Sequence, residues 1–250
     1  MKKQFLILSL FCTFILQSQI KNNHSIKISN HKNYKFNFKQ IIIPTVLIGY
    51  GVIGLESDAL KGIDLNIRNE VIDDIDKKIT IDDFLQYTPA LSVYALNNLG
   101  VKGKHNLKDR SVILGTSMLL VFSSVTALKR ITNVERPDGS RFSFPSGHTA
   151  LAFSGAEFLF QEYKDKSIWY GISGYVVASA TAGFRIYNNK HWLTDVAAGA
   201  GIGILSTKVA YWLSPYLNSK IFKSKSTNST SMLVPFYDGK NIGGSFVIDF

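Results

Sequence analysis

Cysteine is all but missing from this chain: Cys12 is the only one in 250 residues, and it lies inside an N-terminal apolar run. A single cysteine excludes an internal disulfide framework and a thiolate metal cluster. Bulky Phe11 stands where a lipoprotein signal places a small residue, so lipid attachment at Cys12 is not expected. No His-x-x-x-His pair occurs, and the acidic clusters Asp73-Asp74-Asp76 and Asp82-Asp83 lack the glycine and terminal glutamate of a calcium loop. A resident metal or other cofactor is therefore not expected, and these carboxylates read as solvated helix ends. Charge is also scarce, at 18% of residues, but one-sided, with a formal net charge of +10. Such a surplus attracts phosphate backbones. No nucleic-acid motif or aromatic stacking platform accompanies it, so nucleic acid is not the expected partner. A basic surface facing anionic lipid, with a few cations kept for a phosphate, accounts for the excess.

What is present falls into four stretches. Lys2 and Lys3 precede the apolar run Phe5 to Leu16, followed by polar Gln17-Ser18-Gln19, the pattern of a signal peptide over residues 1–19. An uncleaved anchor is the alternative. Residues 20–83 form an N-terminal segment with one short apolar helix, Ile41–Leu55, interrupted by Pro44. From Phe84 the spacing becomes helical, with helices expected over Phe84–Leu99, Arg110–Arg130, His148–Tyr163, Ser167–Phe184 and Leu193–Leu213 within a core spanning 84–215. Gly199, Gly201 and Gly203 in the last of these follow no strand, so they read as close helix packing rather than a nucleotide loop. Residues 216–250 read as a linker and a small hairpin, with Met232–Tyr237 and Ile242–Phe250 flanking Asp238-Gly239-Lys240-Asn241. The expected fold is all-α: a helical bundle with the active site at one end and a short C-terminal β-hairpin appendage.

Three clusters carry chemistry. Lys129 is followed after six residues by Arg136-Pro137; Pro145-Ser146-Gly147-His148 opens a helix; Arg185 is followed after five residues by His191 and, after three more, Asp195. Each is weak alone. Together, in this order and spacing, chance agreement is on the order of 10⁻⁷. A phosphoryl group in transfer spreads negative charge over its equatorial oxygens, so fixed donors stabilise it most. Lys129, Arg136 and Arg185 supply the cations, each guanidinium as a fork and the ammonium as a point charge. Ser146 and Gly147 sit where free backbone N–H groups face an anion, and Ser146 is also placed to cap the helix. His191 and Asp195, four apart, share one helical face, so the carboxylate can hold one ring nitrogen while the other attacks phosphorus. His148 is then left to protonate the leaving oxygen and later to activate water.

In these motifs the sequence resembles the type 2 phosphatidic acid phosphatase superfamily, which includes lipid phosphatases, non-specific acid phosphatases and vanadium haloperoxidases. The resemblance covers roughly residues 84–213. It implies His191, His148 and Asp195 as catalytic residues and Lys129, Arg136, Ser146, Gly147 and Arg185 as phosphate ligands. Phe184 departs from the pattern, since many members place a serine there.

The resemblance leaves substrate and location open between a membrane-associated lipid phosphatase with its site facing the periplasm and a soluble periplasmic acid phosphatase. A haloperoxidase, or an envelope protein that binds phospholipid without turnover, are the remaining alternatives. Lys102, Lys104, Lys108, Arg110, Lys164, Lys166, Lys220, Lys223 and Lys225 are expected at the end away from the motifs, which the positive-inside rule assigns to the cytoplasm if the helices span a membrane. Against a spanning bundle, His148–Tyr163 is short for a bilayer and contains Glu157.

Overall fold

The structure is a computed structural model that describes residues 38–74, 80–221, 230–237 and 242–249. The expected signal peptide and Asp76 lie outside the described residues. The described helices are α1 (Lys39–Gly54), α2 (Asp58–Asp74), α3 (Asp82–Leu85), α4 (Thr88–Asn98), α5 (Leu107–Thr132), α6 (Gly147–Tyr163), α7 (Ile168–Tyr187) and α8 (Leu193–Ile221). Beyond them, strands β1 (Thr230–Tyr237) and β2 (Ile242–Asp249) pair antiparallel, with Thr230 opposite Asp249.

The boundaries differ from expectation where local chemistry decides them. The helix expected over Phe84–Leu99 is two: α3 ends at Leu85, and α4 opens with Pro89 in its first turn. Proline is accepted there because its missing N–H would be unpaired anyway, whereas deeper in a helix it would break the ladder. The polar stretch after Asp58 folds into α2. Helix α5 begins three residues early because Asn106 caps it, its side chain accepting from the Asp109 backbone N–H at 2.8 Å. It ends at Asn133, which takes the left-handed conformation at φ 46°. Helix α8 continues through Pro215 to Ile221, so the expected linker starts later.

Helix α6 is the centre of the bundle, packed by α4, α5, α7 and α8. Its shortness and its acidic residues make sense there, because it is enclosed by protein. Glu157 is buried against Lys208 Nζ at 2.6 Å, Gln161 Nε2 at 2.5 Å and the Tyr175 hydroxyl. Glu162 is buried against the Tyr211 hydroxyl at 2.7 Å and His105 Nδ1 at 2.6 Å. Buried carboxylates persist only with such partners.

Helix α8 fits between neighbours through its glycines. A Cβ at Gly199 would lie 2.5 Å from the Ser146 carbonyl oxygen, and one at Gly203 would collide with the Ala150 carbonyl of α6. Gly201 turns instead to α1, where a Cβ would lie 2.6 Å from the Pro44 carbonyl oxygen. The three glycines therefore seat α8 against two different helices at near-backbone contact.

Helix α5 over Leu107–Thr132 and α8 over Leu193–Leu217 are long and apolar enough to cross a membrane. Helices α1 and α2 pass that test only together, bent by 91°. Apolar side chains stand exposed along α1, α5 and α7, among them Ile43, Val46, Leu119, Phe122, Trp169 and Val176. Arg110, expected on the basic surface, is instead 1% exposed, with its guanidinium 5.7 Å from the centre of the Tyr94 ring.

Candidate active site

The motif residues meet at the end of the bundle where α5 finishes and α6 and α8 begin. Residues 133–146 cross between these ends. Lys129 Nζ donates to the carbonyls of Phe142 (2.5 Å) and Ser143 (3.1 Å), which ties the end of α5 to this loop. Trp192 Nε1 donates to the Glu135 carbonyl at 2.8 Å, and Lys190 Nζ pairs with Asp138 at 2.7 Å, which tie it to the turn before α8. From α2, Arg68 Nε reaches the Pro137 carbonyl at 3.2 Å. The loop is thus braced from three sides.

His191 is 3% exposed. Its Nδ1 donates to Asp195 Oδ2 at 3.3 Å, so Nε2 is the nitrogen left for chemistry. The same Oδ2 accepts from the Trp192 backbone N–H at 2.9 Å and from the Ser143 hydroxyl. Burial, with Lys129 and Arg185 adding to it and Asp195 opposing, lowers the His191 ring to about 4. The imidazole is therefore neutral at neutral pH. Lys129 in turn lies within electrostatic reach of Arg136, Arg185 and Asp195.

At the start of α6 the Ser146 hydroxyl accepts from the Thr149 N–H at 3.4 Å and pairs with the Thr149 hydroxyl at 2.9 Å. Of the two roles open to Ser146, the cap is the one its hydroxyl occupies here. Gly147 is half-buried, and a Cβ there would meet only Val125 Cγ1 at 3.6 Å. Internal packing does not demand this glycine, and its backbone stands at the open start of α6. The Ser146 N–H itself donates to the Asp195 carbonyl at 3.0 Å, joining the starts of α6 and α8.

His148 and Arg185 meet a pair of carboxylates. Arg185 Nη1 pairs with Asp82 Oδ2 at 2.6 Å, and Asn188 Nδ2 donates to Asp82 Oδ1 at 3.2 Å. His148 Nε2 lies 2.9 Å from Asp83 Oδ1. Asp82 is 1% exposed, which corrects its reading as a solvated helix end; a guanidinium and an amide take the place of water. Asp82, Asp83 and His148 bring ligand atoms within 4.8 Å of one another, and the Arg185 guanidinium lies against both carboxylates, Nη1 2.6 Å from Asp82 and 3.9 Å from Asp83.

Arg136 Nε and Arg185 Nε are buried N–H donors without an acceptor among the described residues. An open groove of about 470 Å³ starts at His148 and Gly147 and runs along Val121, Phe122, Val125 and Leu151.

The fold thus gathers all eight residues singled out in the sequence at one end of the bundle. Sequence reasoning missed Asp82, Asp83, Asn188 and Ser143 as members. The adjacent acidic pair was the available signal for the first two; nothing in the sequence marks the partner of Asn188 or Ser143.

Residues 138–219 match the PAP2 superfamily. The chain is 35% identical over 168 residues to a lipid A 1-phosphatase of Porphyromonas gingivalis, a match covering 64% of this chain and 38% of that protein. It is 35% identical over 108 residues to the bacitracin transport permease protein BcrC of Bacillus licheniformis, covering 42% of this chain and 51% of that one. The chain thus spans 38% and 51% of the length of these two curated relatives. Among solved structures it is similar to Aquifex aeolicus LpxE, with 23% identity, a TM-score of 0.46, and 62% of this chain and 96% of that one covered. It is also similar to a PAP2 type phosphatidylglycerolphosphate phosphatase of Bacillus subtilis, with 22% identity, a TM-score of 0.45, and 73% and 99% covered. The matched segment, residues 138–219, holds Ser146, Gly147, His148, Arg185, His191 and Asp195, and over it the chain is similar to the PAP2 superfamily; Lys129 and Arg136 lie outside the match but meet the same site.

Proposed function

We propose that this chain is a metal-independent phosphatase acting on a phosphomonoester or diphosphate of a lipid, through a phosphohistidine formed on His191. One observation carries the reading. A buried, carboxylate-held imidazole, His191 on Asp195, shares its site with two buried guanidinium N–H donors, Arg136 Nε and Arg185 Nε, that have no acceptor among the described residues. A phosphoryl group brings acceptor oxygens for the donors and an electrophile for the ring.

In the first step His191 Nε2 attacks phosphorus, the P–N bond forms, and the bond to the leaving oxygen breaks while His148 gives that oxygen its proton. The charge developing on His191 is balanced by Asp195, and that on the phosphoryl oxygens by Lys129, Arg136, Arg185 and the N–H groups at Gly147. In the second step water attacks phosphorus, gives its proton to His148, and the P–N bond breaks to return neutral His191 and free phosphate. The three cations supply the stabilisation a divalent ion otherwise provides.

A lipid substrate is supported by the apolar groove that begins at His148, the residue beside the leaving group, and by the lipid A 1-phosphatase relative. A reaction at a membrane is supported by the candidate spans α5 and α8, and a site facing the periplasm by the lysines at the far end of the bundle under the positive-inside rule. Phosphate release in EDTA, by wild type and His191→Ala, on a lipid diphosphate and a soluble aryl phosphate tests the proposal. Release that survives EDTA but falls at least about a thousandfold in the variant is the expected result. Release unaffected by His191→Ala overturns the mechanism, release abolished by EDTA overturns metal independence, and preference for the soluble ester overturns the lipid.

A further inference from the structure

Both histidines of the site have a carboxylate partner, but only one of these partners lies in a motif. Asp195 stands four residues from His191. The partner of His148 comes from another helix: Asp83 Oδ1 lies 2.9 Å from His148 Nε2, across a separation of 65 residues. Asp83 is held there by its neighbour, because Asp82 is locked to Arg185 and Asn188 and fixes the start of α3. The His148 Nδ1 atom makes no hydrogen bond among the described residues.

We propose that Asp83 is the positioning residue of the general acid: held on Nε2 of His148, it reserves Nδ1 for the leaving-group oxygen and, in the second step, for the attacking water. This rests on the phosphatase reading above. When His148 is protonated, Asp83 balances its charge; when it is neutral, Asp83 keeps the remaining proton on Nε2 so that Nδ1 can accept one. The balance is needed because burial and Arg185 lower the His148 ring, while Asp83 and Asp82 oppose them. The groups facing His148 are these two carboxylates from α3, Arg185 from α7, Tyr87 beside α4, and the apolar Val121 and Val125 of α5. The alternative is an ordinary surface ion pair, since Asp83 is half exposed, and such pairs contribute little to stability. Asp83→Ala is therefore expected to fold.

Two measurements decide it. The first compares kcat/KM of wild type and Asp83→Ala on a nitrophenyl phosphate, whose leaving group departs without a proton, and on an alkyl phosphate, whose leaving group needs one. A loss of about 10- to 100-fold on the alkyl ester, less than about threefold on the aryl ester, and an alkaline limb moved to lower pH are expected. Equal losses on both esters, or none, overturn the proposal. The second is nitrogen NMR of the His148 ring in the free protein, which needs no turnover. It is expected to show the Nε2-protonated tautomer in wild type and a mixture in Asp83→Ala; an Nδ1-protonated wild type overturns the assignment. An inactive wild type with the Nε2 tautomer would place the fault in the phosphatase reading rather than in the pairing of Asp83 with His148.

Discussion

Arg185 and Asp82, 103 residues apart, form an ion pair at 2.6 Å that is almost wholly withdrawn from solvent, the guanidinium side chain 9% exposed and the carboxylate 1%. Removing one partner of such a pair leaves the other charge buried and uncompensated, a loss of about 3–5 kcal/mol. Asp82→Ala is expected to lower the unfolding free energy by about that much and to weaken activity by releasing Arg185. Asp82→Asn, which keeps an acceptor for Asn188, should lose less. Denaturant unfolding in detergent, beside turnover, measures both.

Under the proposed mechanism the pH profile of kcat/KM should have two limbs set by the two histidines. Attack requires neutral His191, so activity falls as pH drops through about 4, where burial, Lys129 and Arg185 place that ring. Protonation of the leaving group requires charged His148, so activity also falls as pH rises through the His148 value, which burial and Arg185 hold below the ordinary histidine range. An acidic optimum follows. Asp195→Asn removes the influence that raises His191 and should move the acid limb lower still. An optimum above pH 8 would contradict both assignments.

Gly203→Ala should destabilise the protein by about 1–3 kcal/mol, because the added methyl group meets the Ala150 backbone of α6 rather than a side chain that can swing away. Gly199→Ala should do the same and cost activity as well, since it presses on the Ser146 carbonyl. Gly183→Ala is the control. Nothing lies within 4 Å of a Cβ there, so this substitution on α7 should be neutral or stabilise by up to about 1 kcal/mol.

Ser143→Ala removes one of the three donors on Asp195 Oδ2 while leaving His191 Nδ1 and the Trp192 N–H in place. Loss of one hydrogen bond to a charged group, about 1.5–3 kcal/mol, should appear mainly in kcat, as a reduction of roughly 10- to 100-fold, with KM little changed. Steady-state kinetics on one substrate separates the two.

The residues that gather in the candidate site were legible in the sequence because the chemistry proposed for them fixes both residue type and spacing. Lys129, Arg136, His148, Arg185 and His191 could be picked out before any fold was known. The positions of α6 and α8 were equally readable from apolar spacing, and so was the packing role of Gly199, Gly201 and Gly203. What escaped was contact between distant segments. Asp82 and Asp83 look like any polar helix start, and only the tertiary fold shows that one is buried on Arg185 and the other sits on His148. Arg110 escaped for the same reason, its local neighbourhood being that of a surface cation while the bundle encloses it. The break between α3 and α4 was signalled by Pro89, but the apolar run around it hid the signal.

The 3.0 Å bond from the Ser146 N–H to the Asp195 carbonyl has a consequence for how such a protein can change over time. It ties the element carrying one histidine to the residue that steadies the other, so the span between them is held locally, by one backbone hydrogen bond. The outward faces of α1, α5 and α7 take no part in that link. Exposed side chains there, such as Leu119 and Val176, can be exchanged without touching that bond, whereas a tilt of α5 or α7 would carry Lys129 or Arg185 away from it.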